Sequence, residues 1–242
     1  MSKLIRFLGI GLLALLVASP LAGTLGGCTN RVSVITPLYL EEEISYTYMA
    51  DRTLQILSEG GLGSGVAIDP THVLTAAHVV SHPEADLGKP SKPDGTPEVM
   101  WVIEKVAVTH GFTFLSNAKV VKFDHELDLA ILELEIPWTH TAGLTSKVDV
   151  FQKCWISGHP LGVTDVTITE GRVQSLWDNG FLRYSALSTF GNSGGPVWVL
   201  EGGKPKVFSI CQRVYVNFDA VTHMGLGVLP EKLLEFTSKE KN

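Results

Sequence analysis

The 242 residues hold 45% hydrophobic side chains and 24 glycines, enough apolar material for a sizeable core in a chain of many tight turns. A formal charge of −6, with the acids dispersed apart from Glu41-Glu42-Glu43, argues against a nucleic-acid phosphate backbone as partner. No internal repeat of solenoid or propeller period is visible, and no long 3.6-period segment competes with short strands.

Residues 1–27 read as a signal segment. Lys3 and Arg6 precede a mostly apolar run from Phe7 to Leu25. Pro20, Gly23, Gly26 and Gly27 weaken that run as a permanent membrane helix. It ends in Leu25-Gly26-Gly27-Cys28, which resembles a bacterial lipobox, with Cys28 as the lipidated residue and Thr29 after it. An uncleaved anchor and ordinary signal cleavage are the alternatives. The lipobox resemblance implies a cell-envelope location on a bacterial membrane. Losing residues 1–27 removes two cations and no acids, leaving 17 Lys plus Arg against 25 acids, a net of −8. Residues 28–50 read as a tether, with the Glu41–43 triplet solvated near the membrane.

Residues 51–242 read as one folded domain. Runs at 52–58 and 64–68 predict two strands joined by a Gly-rich turn, and 72–75 a third. Residues 81–97 are polar and proline-rich and predict a surface loop, either a partner-binding loop or an inert insertion. Further strands are expected at 99–108, 118–123 and 128–134, completing a first barrel at about 51–136. Residues 137–150 form the crossover. Strands at 154–157, 166–175, 182–186, 197–200, 206–214 and 226–228 make a second barrel at about 150–235, and 233–238 end the chain's regular structure in a short helix or turn. Short strands with Gly, Pro and Asn turns at this density predict an all-β fold.

Three motifs carry chemistry. Ser193 lies in Gly191-Asn192-Ser193-Gly194-Gly195-Pro196, where glycines let the backbone turn tightly and N–H groups converge. That suits a Ser nucleophile beside oxyanion donors. His78, in Thr75-Ala76-Ala77-His78, supplies a base. Asp128 stands at the mouth of an apolar strand and supplies the carboxylate that orients it; Asp124 and Glu126 match by composition alone. The order His, Asp, Ser is that of chymotrypsin. Cys154 and Cys211 either pair in an oxidising compartment or remain buried thiols. No metal is expected: Pro83 breaks any helix that would align His78 with His82, and no three-ligand spacing converges. His159 is expected to serve the turn beside Pro160.

These blocks, with Gly63-Ser64-Gly65-Val66-Ala67-Ile68, Asp128-Leu129-Ala130-Ile131-Leu132, Ser157-Gly158-His159-Pro160-Leu161-Gly162, Thr169-Glu170-Gly171-Arg172-Val173 and Gly225-Leu226-Gly227-Val228-Leu229-Pro230, resemble trypsin-like serine peptidases of the HtrA/DegP branch over residues 52–235. The resemblance implies two six-stranded antiparallel barrels with the cleft between them, a polypeptide substrate, no cofactor, and an oxyanion hole from the N–H groups of Gly191 and Ser193. It implies a specificity pocket with Leu187 as its floor and Ser188, Ser209, Cys211 and Gly225 around it, hence cleavage after small or medium apolar residues. Only residues 231–242 follow the protease region, where HtrA proteins usually carry PDZ domains. Trimerisation through residues 44–49 would fit the family. The rival expectation is a gated or inactive protease-fold binding or chaperone module.

Overall fold

The computed structural model describes residues 45–58, 61–83, 100–102, 105–176, 181–217 and 220–238. The expected signal segment, Cys28, the Glu41–43 tether and most of the 81–97 loop lie outside these residues.

Successive side chains of a strand point to opposite faces, and this chain uses both faces. In β8 (Leu129–Leu134), Ala130, Leu132 and Leu134 enter the interior of the first barrel. Leu129 and Ile131 turn outward into a second apolar cluster. The same division recurs in β3 (His72–Thr75), with Val73 inside and Leu74 outside. The second half mirrors it. In β12 (Pro196–Glu201), Val197 and Val199 fill the second barrel, while Trp198 enters the shared cluster. In β9 (Lys153–Gly158), Cys154 and Ile156 point inward and Trp155 outward. Three cores result: one inside each barrel, and one between them built from both.

The first barrel closes in the order β1 (Thr53–Ser58), β2 (Gly61–Ala67), β3, β8, β7 (Thr113–Asp124), β6 (Lys105–His110). The second closes as β10 (Thr167–Leu176), β11 (Phe181–Tyr184), β14 (Ala220–Val228), β13 (Lys204–Asn217), β12, β9. Every strand pair in both barrels is antiparallel. The all-β double-barrel expectation holds. Helix α2 (Pro230–Ser238) covers the shared core with Leu233 and Phe236.

Polar side chains fasten the two barrels where they meet. Thr53 Oγ1 donates to Met49 O at 2.8 Å and lies 2.6 Å from Ser157 Oγ, which accepts Trp198 Nε1–H at 2.8 Å. All of these side chains are buried, so each bond replaces one lost to water. Burying an aromatic of this size adds about 1.5–3 kcal/mol.

Some expectations need correction. Residues 45–50, read as tether, form a helix, α1, whose Met49 is buried in the shared core. The expected strand at 99–108 is divided: β5 (Met100–Val102) pairs with β4 (Ser81–Pro83), and only β6 joins the barrel. Continuous β-formers mark extended backbone without naming the partner. Ser81–Pro83, expected in a loop, is a strand by virtue of its antiparallel pairing with β5. Cys154 and Cys211 are both free and buried on the second barrel's interior. Burial pushes their thiols up to about 12 and about 11, so both remain protonated.

Candidate active site

Between β3 and the rest of the first barrel, Ala77–Val80 form a single 3-10 turn that carries His78. Ala77, Val79 and Val80 are buried, which orients the turn and leaves His78 facing out. Its partner comes from the turn before β8. There Asp124 Oδ1 accepts Leu127 N–H at 2.9 Å and His125 O accepts Asp128 N–H at 3.3 Å, closing a tight loop. Asp128 ends that loop at φ +52°, a left-handed conformation that Asp tolerates better than most residues. Asp124 is thereby committed to the turn, and Asp128 alone of the nearby acids reaches the histidine.

The Asp128 carboxylate lies 2.9 and 3.0 Å from His78 Nδ1, and its Oδ1 also accepts the His78 backbone N–H at 3.0 Å. Asp128 is buried. A carboxylate bonded this way fixes Nδ1 as the protonated nitrogen, so Nε2 presents a lone pair. Gln212 of β13 completes the support: its Nε2 donates to Asp128 O at 3.0 Å and to Leu127 O. Since both partners are acceptors, the amide nitrogen must face them.

Ser193 sits in the loop before β12. Gly191 and Gly194 adopt φ +91° and +82°, conformations that a side chain would strain. Within this loop the N–H groups of Asn192, Gly194 and Gly195 donate to Thr189 O, Cys211 O and Asn192 O at 3.1, 2.7 and 2.8 Å. Those of Gly191 and Ser193 have no acceptor among the described residues. Ser64 of β2 ties the loop to the first barrel. Its N–H donates to Ser193 O at 2.7 Å, its Oγ donates to Gly191 O at 2.8 Å, and the same Oγ accepts His159 N–H at 2.9 Å. Thr75 Oγ1 donates to Ser64 O at 2.7 Å. His78 and Ser193 line one cavity of about 360 Å³, together with Gly61, Leu62, Phe190, Gly191, Gln212, Arg213 and Val214.

With this geometry, the comparisons with known proteins converge. Residues 63–204, more than half of the chain, match the family described as a trypsin-like peptidase domain. The chain belongs to the trypsin-like peptidases. It is 31% identical over 159 residues to a putative mitochondrial Do-like protease 12 of Arabidopsis thaliana, covering 60% of this chain and 28% of that protein. It is 26% identical over 212 residues to mitochondrial serine protease HTRA2 of Drosophila willistoni, covering 82% and 43%. The chain thus spans less than half the length of these curated relatives. Among solved structures, the HtrA-type protease AlgW with tripeptide superposes with a TM-score of 0.65 at 20% identity, covering 84% of this chain and 63% of that one. Inactive Rv3671c from M. tuberculosis H37Rv gives 0.62 at 19%, covering 84% and 93%. These likenesses are of fold.

The five expected pocket residues of this trypsin-like peptidase line none of that cavity. Leu187 is 53% exposed, whereas Ser188, Ser209 and Cys211 are buried, as is Gly225. Ser209 Oγ is spent on Val228 O at 2.7 Å. The space beside Gly225 is filled by the Tyr184 ring, which a Cβ on Gly225 would approach to 2.1 Å. Tyr184 OH lies 3.5 Å from Ser188 Oγ, so its polar tip is held in a buried, neutral wall. His159 acts in the turn as expected: its Nδ1 lies 3.0 Å from Val163 O, and burial lowers its pKa, keeping the ring neutral.

Sequence reading missed Ser64 and Gln212 as supports. The small-residue run Gly63-Ser64-Gly65 was the available signal for Ser64. A Cβ on Gly63 would fall 3.1 Å from Ser193 O, so that stretch marks a close approach of β2 to the loop that carries Ser193. Gln212 left no comparable signal, because its carbonyl partners are distant in sequence.

Proposed function

We infer that the chain is a serine endopeptidase that hydrolyses polypeptides through Ser193, His78 and Asp128. The observation that carries this reading is the Asp128–His78 pair at 2.9 Å, with His78 and Ser193 on the wall of one cavity. The pairing of β13 with β12 ends at Ile210, so beyond Cys211 β14 is the one strand paired with β13 among the described residues. Residues 212–214 line the cavity there and present a strand edge to which the acyl side of a substrate adds.

Ser193 Oγ attacks the scissile carbonyl carbon while its proton passes to His78 Nε2. Asp128 stabilises the imidazolium so formed. The N–H groups of Gly191 and Ser193 hold the negative oxygen of the tetrahedral intermediate. His78 returns the proton to the leaving amine as the C–N bond breaks. Water, deprotonated by His78, then hydrolyses the ester and restores Ser193. The transfer needs Ser193 Oγ within hydrogen-bond reach of His78 Nε2 once substrate seats.

Leu187, Ser188, Ser209, Cys211 and Gly225, the residues that the family resemblance puts around the acyl-side side chain, carry no charge, which supports cleavage after small or medium apolar residues, since a cation buried among them would lack a counter-charge. The Cys28 lipobox resemblance supports a membrane-tethered, extracytoplasmic site of action. A randomised peptide library digested by the full chain tests the specificity. Ala, Val, Ser or Leu before the cut sites is the expected result. Dominance of Lys, Arg or Phe there would refute it.

A further inference from the structure

The cavity wall carries two kinds of chemistry. His78, Thr189, Ser193, Gln212 and Arg213 make most of its wall polar. On or beside the same cavity stand three large apolar side chains open to water: Leu62 at 49% exposure, Leu161 at 75% and Phe190 at 71%. Leu62 and Phe190 line the cavity with Ser193. Leu161 N–H donates to Phe190 O at 2.7 Å, which fastens the Pro160–Gly162 turn to the nucleophile loop. Leu62 lies over the same turn, since a Cβ on Gly162 would fall 2.4 Å from its Cδ1. Three separate segments, β2, the turn before β10 and the loop before β12, thus bring their exposed apolar residues to one place.

Leu161 adds a second observation. It adopts φ +55° and ψ +20°, a left-handed conformation that disfavours leucine. Strain of this kind persists where the surroundings over-determine it and clusters at ligand-binding sites. Here it turns a leucine out into water beside a cleft, which burial does not reward.

We propose that Leu62, Leu161 and Phe190 form an apolar subsite for the substrate side chain that follows the scissile bond, and that this peptidase selects a large apolar residue there. The proposal rests on the endopeptidase reading. The acyl half of the substrate adds along residues 212–214, where β13 offers a strand edge and Arg213 makes the wall polar. The leaving half therefore exits past Leu62 and Phe190. A side chain the size of Leu or Phe leaves water against this collar, whereas Gly, Ser or Asp gains nothing from it. The polypeptides favoured would be those with an exposed apolar residue just after a small one, a pattern that folded proteins bury.

The test uses quenched fluorescent peptides that differ only in the residue after the cut, Leu, Phe, Ser or Asp, with a small acyl ester measured alongside. The ester has no residue on the leaving side and reports Ser193 chemistry alone. Wild type is expected to favour Leu and Phe over Ser in kcat/KM by about tenfold. In Leu161→Asn that ratio should fall several-fold toward unity. Asn accepts the left-handed backbone, so the variant keeps the turn while losing the apolar contact. Phe190→Ser should flatten the ratio likewise. Ester hydrolysis with no preference at this position, or a preference that survives both substitutions, would overturn the subsite and leave the endopeptidase reading standing. Absence of both ester and peptide hydrolysis would overturn the endopeptidase reading and the subsite with it.

Discussion

Asp128→Asn is expected to lower kcat/KM by about 10,000-fold at neutral pH while leaving the fold intact. The carboxylate now accepts from both the His78 ring and the His78 backbone N–H. An asparagine amide keeps the size and one acceptor oxygen. That oxygen can serve only one of the two N–H groups well, and the amide nitrogen cannot face a donor. If it turns to the ring, Nδ1 must become the acceptor, the proton moves to Nε2, and no lone pair remains to receive the Ser193 proton. The imidazolium also loses its counter-charge. Gln212 still grips the carbonyl of residue 128, so the backbone should hold. Steady-state kinetics with circular dichroism or thermal melting would separate the two effects. A loss smaller than about tenfold with an unchanged melt would mean that this pair does not serve the chemistry.

Gly194→Ala should remove activity and also destabilise the fold, by at least about 3 kcal/mol. A methyl group there would fall 2.1 Å from Thr75 Oγ1 and 2.2 Å from Ser64 O, at φ +82°. Neither neighbour can yield cheaply. Thr75 Oγ1 is bonded to Ser64 O, and the Ser64 amide and hydroxyl hold Ser193 O and Gly191 O. Any relaxation therefore displaces the loop that presents Ser193 and the two unpaired amides. Denaturant unfolding would show a lowered midpoint, and peptide hydrolysis would be lost under conditions where the variant remains folded. A variant of wild-type stability would contradict the close packing described for this loop.

The barrels were legible because their signal is local. Leu129 to Leu134 reads as an apolar run bounded by turns, and such runs reveal strands whose two faces are both buried. What the run could not show is that its odd and even positions serve different cores. That depends on which barrel lies outside, a long-range fact. The candidate site was legible in part for a different reason: Gly191 and Gly194 mark the tight loop around Ser193, and Asp128 marks the start of an apolar strand. The specificity pocket was not legible from spacing, because loop shape decides it: the side chain of Leu187 is exposed and the ring of Tyr184 occupies the space by Gly225. Helix α1 was missed because six residues carry little periodic signal and its stability comes from Met49 entering the shared core.

The central claim is that Ser193 is a nucleophile activated by His78. Intact-mass analysis after exposure to a fluorophosphonate tests it most directly, with Ser193→Ala in parallel. The expected result is one adduct per chain, mapped to Ser193 and lost in the variant. A folded wild-type protein that takes up no label, or that labels equally in Ser193→Ala, would contradict it.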